Sequence, residues 1–213
     1  MTARVPRQQR GADRRDALLA AAVAVVSEQG PAAFSARSVA AQAQLPLAAV
    51  SYYFPRSDDL LGAAVAVVLR QWIDHGRTVV AAAHDTGVEA AARAITDALL
   101  PPGPADAVRH RYEHLLAAAG HPVSAAAMAN LRPVLRGLVV DILSATGTRS
   151  LFSTDALVSL VDGTAVGAIS EGRPDPRGQV ASALREVLDA RESPDSGSAQ
   201  ESQSSKERPE IRS

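Results

Sequence analysis

The sequence contains no cysteine, which excludes disulfides, thiolate metal sites and a cysteine nucleophile. Aromatic residues are nearly as scarce, with one Trp, three Tyr and three Phe in 213 residues. Its apolar runs are broken by charge or glycine before the ~18 residues that suggest a membrane span. The N-terminal "MTARVPRQQRGADRR" is basic but leads into an amphipathic pattern, without a signal-peptide core and cleavage site. No segment keeps the alternation of a strand, and no internal repeat is visible. What remains is the expectation of a soluble, cytoplasmic, all-helical chain with no membrane partner.

Against these absences stand 46% apolar residues, enough for a packed core, and an uneven distribution of charge. The net charge is −1. Through Ser57, seven arginines (Arg4, Arg7, Arg10, Arg14, Arg15, Arg37 and Arg56) face only Asp13, Asp16 and Glu28, so this segment carries +4 and the rest −5. A basic head on an acidic body points to an anionic partner for the head.

Apolar residues recur with helical spacing at Leu18, Leu19, Ala22, Val25 and Val26, and Gly30-Pro31 stops that helix. Ser35 is a suitable N-cap for a short helix to Ala43. Pro46 stands where another short helix begins, running to about Tyr53 before Pro55. Ser57-Asp58-Asp59 is expected to cap a long helix reaching about Ala83. Further helices are predicted over 87–100, 105–120, 122–146 (with Pro133 as a kink), 153–172 and 176–191. The polar stretch 192–213 predicts a disordered tail. The resulting divisions are a flexible basic arm, 1–12; a segment with two short helices joined by a tight turn, 13–56; a larger helical domain, 57–191; and the tail, 192–213.

Three of the seven rings adjoin one another at Tyr52, Tyr53 and Phe54, closing the segment "LPLAAVSYYF". The two short helices meet the needs of a helix-turn-helix. Val39, Ala40 and Ala43 offer a small inner face, and Val50 and Phe54, four residues apart, anchor the second helix. Its other face is left for a DNA groove. With "LLAAAVAVVSEQG", "FSARSVAAQA", "LPLAAVSYYF" and "SDDLL" preserved as a block, Arg15 to Leu61 resembles the DNA-binding domain of the TetR family of transcriptional regulators. The resemblance covers about a quarter of the chain. It implies an all-α fold in which a three-helix DNA-binding domain precedes a larger helical domain for ligand binding and dimerisation.

Carried over residue by residue, the resemblance gives Ser35 and Arg37 phosphate and base contacts. It places Leu47, Ala48 and Ala49 at the base-facing front of the recognition helix, and Ser51, Tyr52 and Tyr53 against phosphates and bases. Arg56 joins them from the start of the fourth helix. Adjacent helical residues point about 100° apart, so Tyr52 and Tyr53 cannot both share the buried face of Phe54. The alternative is that either ring belongs to the core. Four positions depart from the family pattern. Gln44 replaces a turn glycine and needs a left-handed backbone at about 1 kcal/mol, or a different turn. Pro46 replaces a serine cap, Ser51 a phosphate-contacting tyrosine, and Ser57 a lysine.

In the larger domain Trp72, His75, Tyr112, Met128 and Asn130 are candidates to line a pocket for a small-molecule effector of apolar character. Trp72 and Met128 read equally well as ordinary core. His110 and His114 lie one helical turn apart, but no third metal ligand is identifiable and no nucleophile stands ready for a base. No metal, cofactor or enzymatic activity is therefore assigned. The dimer implied by the resemblance is expected to use the last two helices through Leu157, Leu160, Val161, Thr164, Gly167, Ala168, Val180, Leu184 and Val187. Intramolecular packing of those helices is the alternative. The function these expectations describe is a ligand-responsive regulator, acting as a repressor. It would bind a palindromic operator in double-stranded DNA as a homodimer. The rival is a helical small-molecule-binding protein of the same fold that has lost specific DNA binding.

Overall fold

The computed structural model describes residues 7–190. The tail expected over 192–213, and residues 1–6 of the expected arm, lie outside the described residues. Among the described residues the chain forms nine α-helices and one 3-10 turn, with no strand. The helices are α1 (Arg7–Gln29), α2 (Ala36–Gln42), α3 (Leu47–Tyr53), α4 (Ser57–Ala82), α5 (Val88–Leu99), α6 (Ala105–Ala118), α7 (Pro122–Ala145), α8 (Thr154–Ser170) and α9 (Pro176–Asp189). The 3-10 turn is Pro31–Ala33, between α1 and α2.

The helix starts follow from local chemistry. Ser35 caps α2 by accepting from the Ser38 amide at 3.0 Å, while Ser38 Oγ accepts from the Ser35 amide at 2.9 Å. Ser153 and Asp175 cap α8 and α9 in the same way, through the amides of Ala156 and Gly178. Ser57 does not cap α4. It is the first helical residue, Arg56 occupies the cap position without a side-chain bond, and Asp58 and Asp59 favour the positive end of the helix. The basic arm is also shorter than expected, since helix geometry begins at Arg7 rather than near Asp13.

Two apolar cores organise the helices. The first gathers Leu18, Ala22 and Val26 of α1, Val39 of α2, Val50 and Phe54 at α3, and Leu60, Leu61, Ala64 and Val65 of α4. The second is built by α5 to α9 around Ile95, Val139, Ile142, Leu157, Val161 and Leu184. Leu69 and Met128 pack against both cores. Helix α4 continues from one core into the other, and α7 crosses it closely where Gly76 faces Leu138. A Cβ at Gly76 would stand 2.5 Å from Leu138 Cδ1.

Helix α7 is long and apolar enough to cross a membrane by length and composition, which the reading of interrupted apolar runs did not anticipate. The helix packs against α4, α5 and α8, with Leu131, Leu135, Leu138, Val139 and Ile142 buried and Val140 exposed. The helix continues through Pro133.

Packing also corrects part of the dimer assignment. Leu157, Val161, Ala168, Val180 and Leu184 are buried within their own chain and have no surface left for a partner. Leu160, Thr164, Gly167 and Val187 are partly exposed.

Candidate functional site

The α2–α3 pair supplies the first candidate surface. Gln44 takes φ 54°, the left-handed turn that the missing glycine required, and is the non-glycine residue in that region among the described residues. Pro46 then starts α3 with φ −59° and ψ 143°. Val50 and Phe54, 2% and 6% exposed, fix the inner face of α3. The opposite face presents Leu47 at 47% exposure and Tyr52 at 78%, with Ala48 and Ser51 beside them.

The rings divide. Tyr52 and Tyr53 pack edge to face with centroids 4.9 Å apart, but Tyr53 is half-buried against the first core. Its hydroxyl lies beside Gly11 of α1, 3.9 Å from where a Cβ would stand. Tyr52 alone projects outward. Ala49, expected at the base-facing front, also packs against the core. Arg37 and Arg56 are exposed. Arg56 approaches Asp59 at 3.7 Å, whereas Arg37 makes no ion pair among the described residues. Ser35 is exposed, and its hydroxyl is engaged in the α2 cap. Arg15, grouped by sequence with the basic arm, stacks on Phe54 with its guanidinium 5.0 Å from the ring centroid.

The second candidate is a cavity of about 550 Å³ between the two cores. Val26 and Ser27 of α1 and Pro31 of the 3-10 turn close one side. The rest of the wall comes from α4 (Val65 to His75), the Leu100–Pro102 segment, α6, and Ser124 and Met128 of α7. Of the residues named for a pocket, Trp72, His75 and Met128 line this cavity. Trp72 is fixed by an Nε1 bond to the Ala98 carbonyl at 3.1 Å, and the His75 ring nitrogen lies 3.0 Å from the Asp97 carbonyl.

Tyr112 and Asn130 are not part of this wall. The Tyr112 ring is buried, and its hydroxyl donates to Asp162 of α8 at 3.0 Å. Asn130 sits two residues beyond Met128 on α7, hence on the far side of that helix, and is exposed. Sequence reasoning missed Arg111 and Ser124. Arg111 lies over Trp72, its guanidinium carbon 3.2 Å from the ring centroid, and burial lowers its pKa to about 10. Tyr112 is pushed well above the usual phenol range by burial and then by Asp162, and burial raises Asp162 in turn.

His110 and His114 also face the cavity. Their rings lie nearly parallel, at 12°, with centroids 6.5 Å apart. Burial, with the neighbouring His110, holds His114 below the ordinary histidine range. His114 packs on Gly30, whose φ is 83°, and a Cβ there would stand 2.6 Å from His114 Cδ2. Helix α6 thus bears directly on the loop that leads into the helix-turn-helix.

Comparison with known proteins agrees with this architecture. Residues 18–64 match the family described as bacterial regulatory proteins, tetR family. Residues 84–190 match the tetracyclin repressor-like C-terminal domain. Among solved structures, the multidrug binding protein EbrR complexed with proflavin is 29% identical, covering 82% of this chain and 99% of its own, with a TM-score of 0.59. A TetR-family member from Streptomyces coelicolor is 28% identical over 83% of this chain and 99% of its own, with a TM-score of 0.55. A TetR regulator from Haloarcula marismortui shares the fold at 19% identity, over 84% of this chain and 97% of its own, with a TM-score of 0.61. No curated protein sequence matches the chain. With a DNA-binding module at one end, a matched C-terminal domain over half its length and the helical order of both, the chain belongs to the TetR family of transcriptional regulators.

Proposed function

We propose that the protein is a cytoplasmic, ligand-responsive repressor that binds a palindromic operator as a homodimer and is released by a small-molecule effector. The observation that carries this reading is the shared wall of the cavity. Val26, Ser27 and Pro31 belong to the DNA-binding domain, and the remaining residues belong to the C-terminal domain. A ligand seated there touches both, so its differential contacts bias the position of α1 relative to α4 and α6. That EbrR has been crystallised in complex with proflavin, ethidium and malachite green supports a small-molecule ligand for the present chain as well. No group in the cavity is arranged as a nucleophile with its base, which supports a non-enzymatic role.

DNA contact is assigned to Arg37, Arg56, Leu47, Ala48, Ser51 and Tyr52, all exposed on one domain. Leu47 and Ala48 pack on thymine methyls, while Arg37 and Tyr52 supply polar and phosphate contacts. Dimerisation is assigned to the outward residues of α8 and α9: Leu160, Thr164, Gly167 and Val187 of the original set, joined by Gly163 and the exposed Val166. Selection of bound DNA from a random pool at moderate salt tests the reading. A palindromic consensus is the expected outcome, and Arg37→Ala should then weaken consensus binding by about 1–3 kcal/mol. The α3 front carries no Lys or Arg, which favours the second reading of a binding protein without operator recognition. Recovery of DNA with no shared sequence would select that reading.

A further inference from the structure

The cavity wall is mostly aliphatic, yet two of its polar atoms are enclosed without a hydrogen-bond partner among the described residues: Arg111 Nη2 and Ser124 Oγ. A buried charged donor left unmet costs more than a neutral one, so a native structure that retains it invites a ligand. Stacking on Trp72 occupies one face of the guanidinium. The N–H groups of a guanidinium lie in the plane of its fork, and Nη2 has no acceptor among the described residues. Asp162, the acid nearest in influence, is already committed. It accepts from the Tyr112 hydroxyl at 3.0 Å and lies 3.7 Å from Arg132. No Asp or Glu lines the cavity, and its other titratable side chains are His75, His110 and His114. The wall therefore carries a fixed positive charge with no fixed negative one.

We infer that the cavity receives an amphipathic organic anion, a carboxylate paired with Arg111 and an apolar body lying along Val65, Leu69, Leu115 and Met128. A planar guanidinium matches the two oxygens of a carboxylate better than any other side chain does. The apolar lining accounts for the rest of the ligand. This assignment rests on the effector reading above only for its regulatory meaning, because binding itself requires no DNA.

Trp72 is the single tryptophan of the chain, so its emission reports occupancy beside Arg111. The experiment titrates the full-length protein with decanoate, 2-naphthoate, the primary amide of each, and decyltrimethylammonium, with calorimetry confirming affinities. Each carboxylate should bind at least ten-fold more tightly than its amide, and the cation more weakly than either carboxylate. Arg111→Gln should bring each carboxylate to the level of its amide while leaving the amides unchanged. Arg111→Lys should retain part of the preference, and it carries the test if the glutamine variant loses its helical circular dichroism. Equal affinities, tighter binding of the cation, no binding by any of the five compounds, or a carboxylate preference unaffected by both substitutions would overturn the assignment. A pool selection that recovers no consensus would remove the regulator reading and leave these titrations standing.

Discussion

Tyr52 and Tyr53 are adjacent in sequence and have separate tasks. Tyr52 is exposed on the α3 front, while Tyr53 leans on α1 beside Gly11. Tyr52→Ala is therefore expected to leave thermal stability within about 0.5 kcal/mol while weakening operator binding. Tyr53→Ala should cost about 1–2 kcal/mol of stability, read by chemical denaturation. Equal stability losses would place both rings in the core. The Val50/Phe54 anchor was legible from a four-residue spacing, because that period is local. The Tyr53 contact was not, because its partner lies in a turn of α1 that carries little apolar periodicity. His114 allows a pH prediction. Its folded pKa is depressed by burial and by His110, with Glu113 opposing, so the unfolded chain binds the proton more readily. Stability must then fall as pH drops through the histidine range. His114→Gln should shrink the difference in Tm between pH 7 and pH 5, and an unchanged difference would count against this role.

Among the elements, most helices declared themselves through caps and stops. Ser35, Pro46, Pro122 and Pro176 each stand at the start that sequence assigned them, because capping and proline chemistry act within a few residues. The start of α1 was missed by six residues. "RQQRGA" has neither cap nor apolar stripe, and its helix extends from the anchored turns that follow it, since adding residues to an existing helix is far easier than nucleating one. The link between Gly30 and α6 was equally hidden, since only the fold brings His114 onto that loop. Gly30→Ala must adopt a positive φ and displace the His114 ring. A loss of about 1–3 kcal/mol is expected in equilibrium unfolding. A neutral result would mean that the loop relaxes without cost.

At the scale of the whole molecule, the two-core division followed from composition and the resemblance, whereas the cavity between the cores did not. Its wall joins residues as distant in sequence as Val26 and Met128, and no local period records such a meeting. The buried members of the expected dimer set erred for the same reason. An apolar helix face is equally suited to its own core and to a partner, and only packing decides between them. The exposed side of α8 offers a cleaner test. A Cβ at Gly163 or Gly167 meets nothing within 4 Å in its own chain. The proposed interface predicts that the unsubstituted protein sediments as a dimer and that Gly163→Trp folds and sediments as a monomer; a dimeric variant would move the interface elsewhere.

The placement of Val26, Ser27 and Pro31 in the cavity wall has a thermodynamic consequence. If an occupant of the cavity lowers affinity for DNA by some factor, DNA must lower affinity for that occupant by the same factor. The operator then acts as an antagonist of the small molecule, through residues it never touches. An affinity measured on the isolated protein would overstate the response of the DNA-bound form, and the concentration needed for release would rise with the strength of the operator.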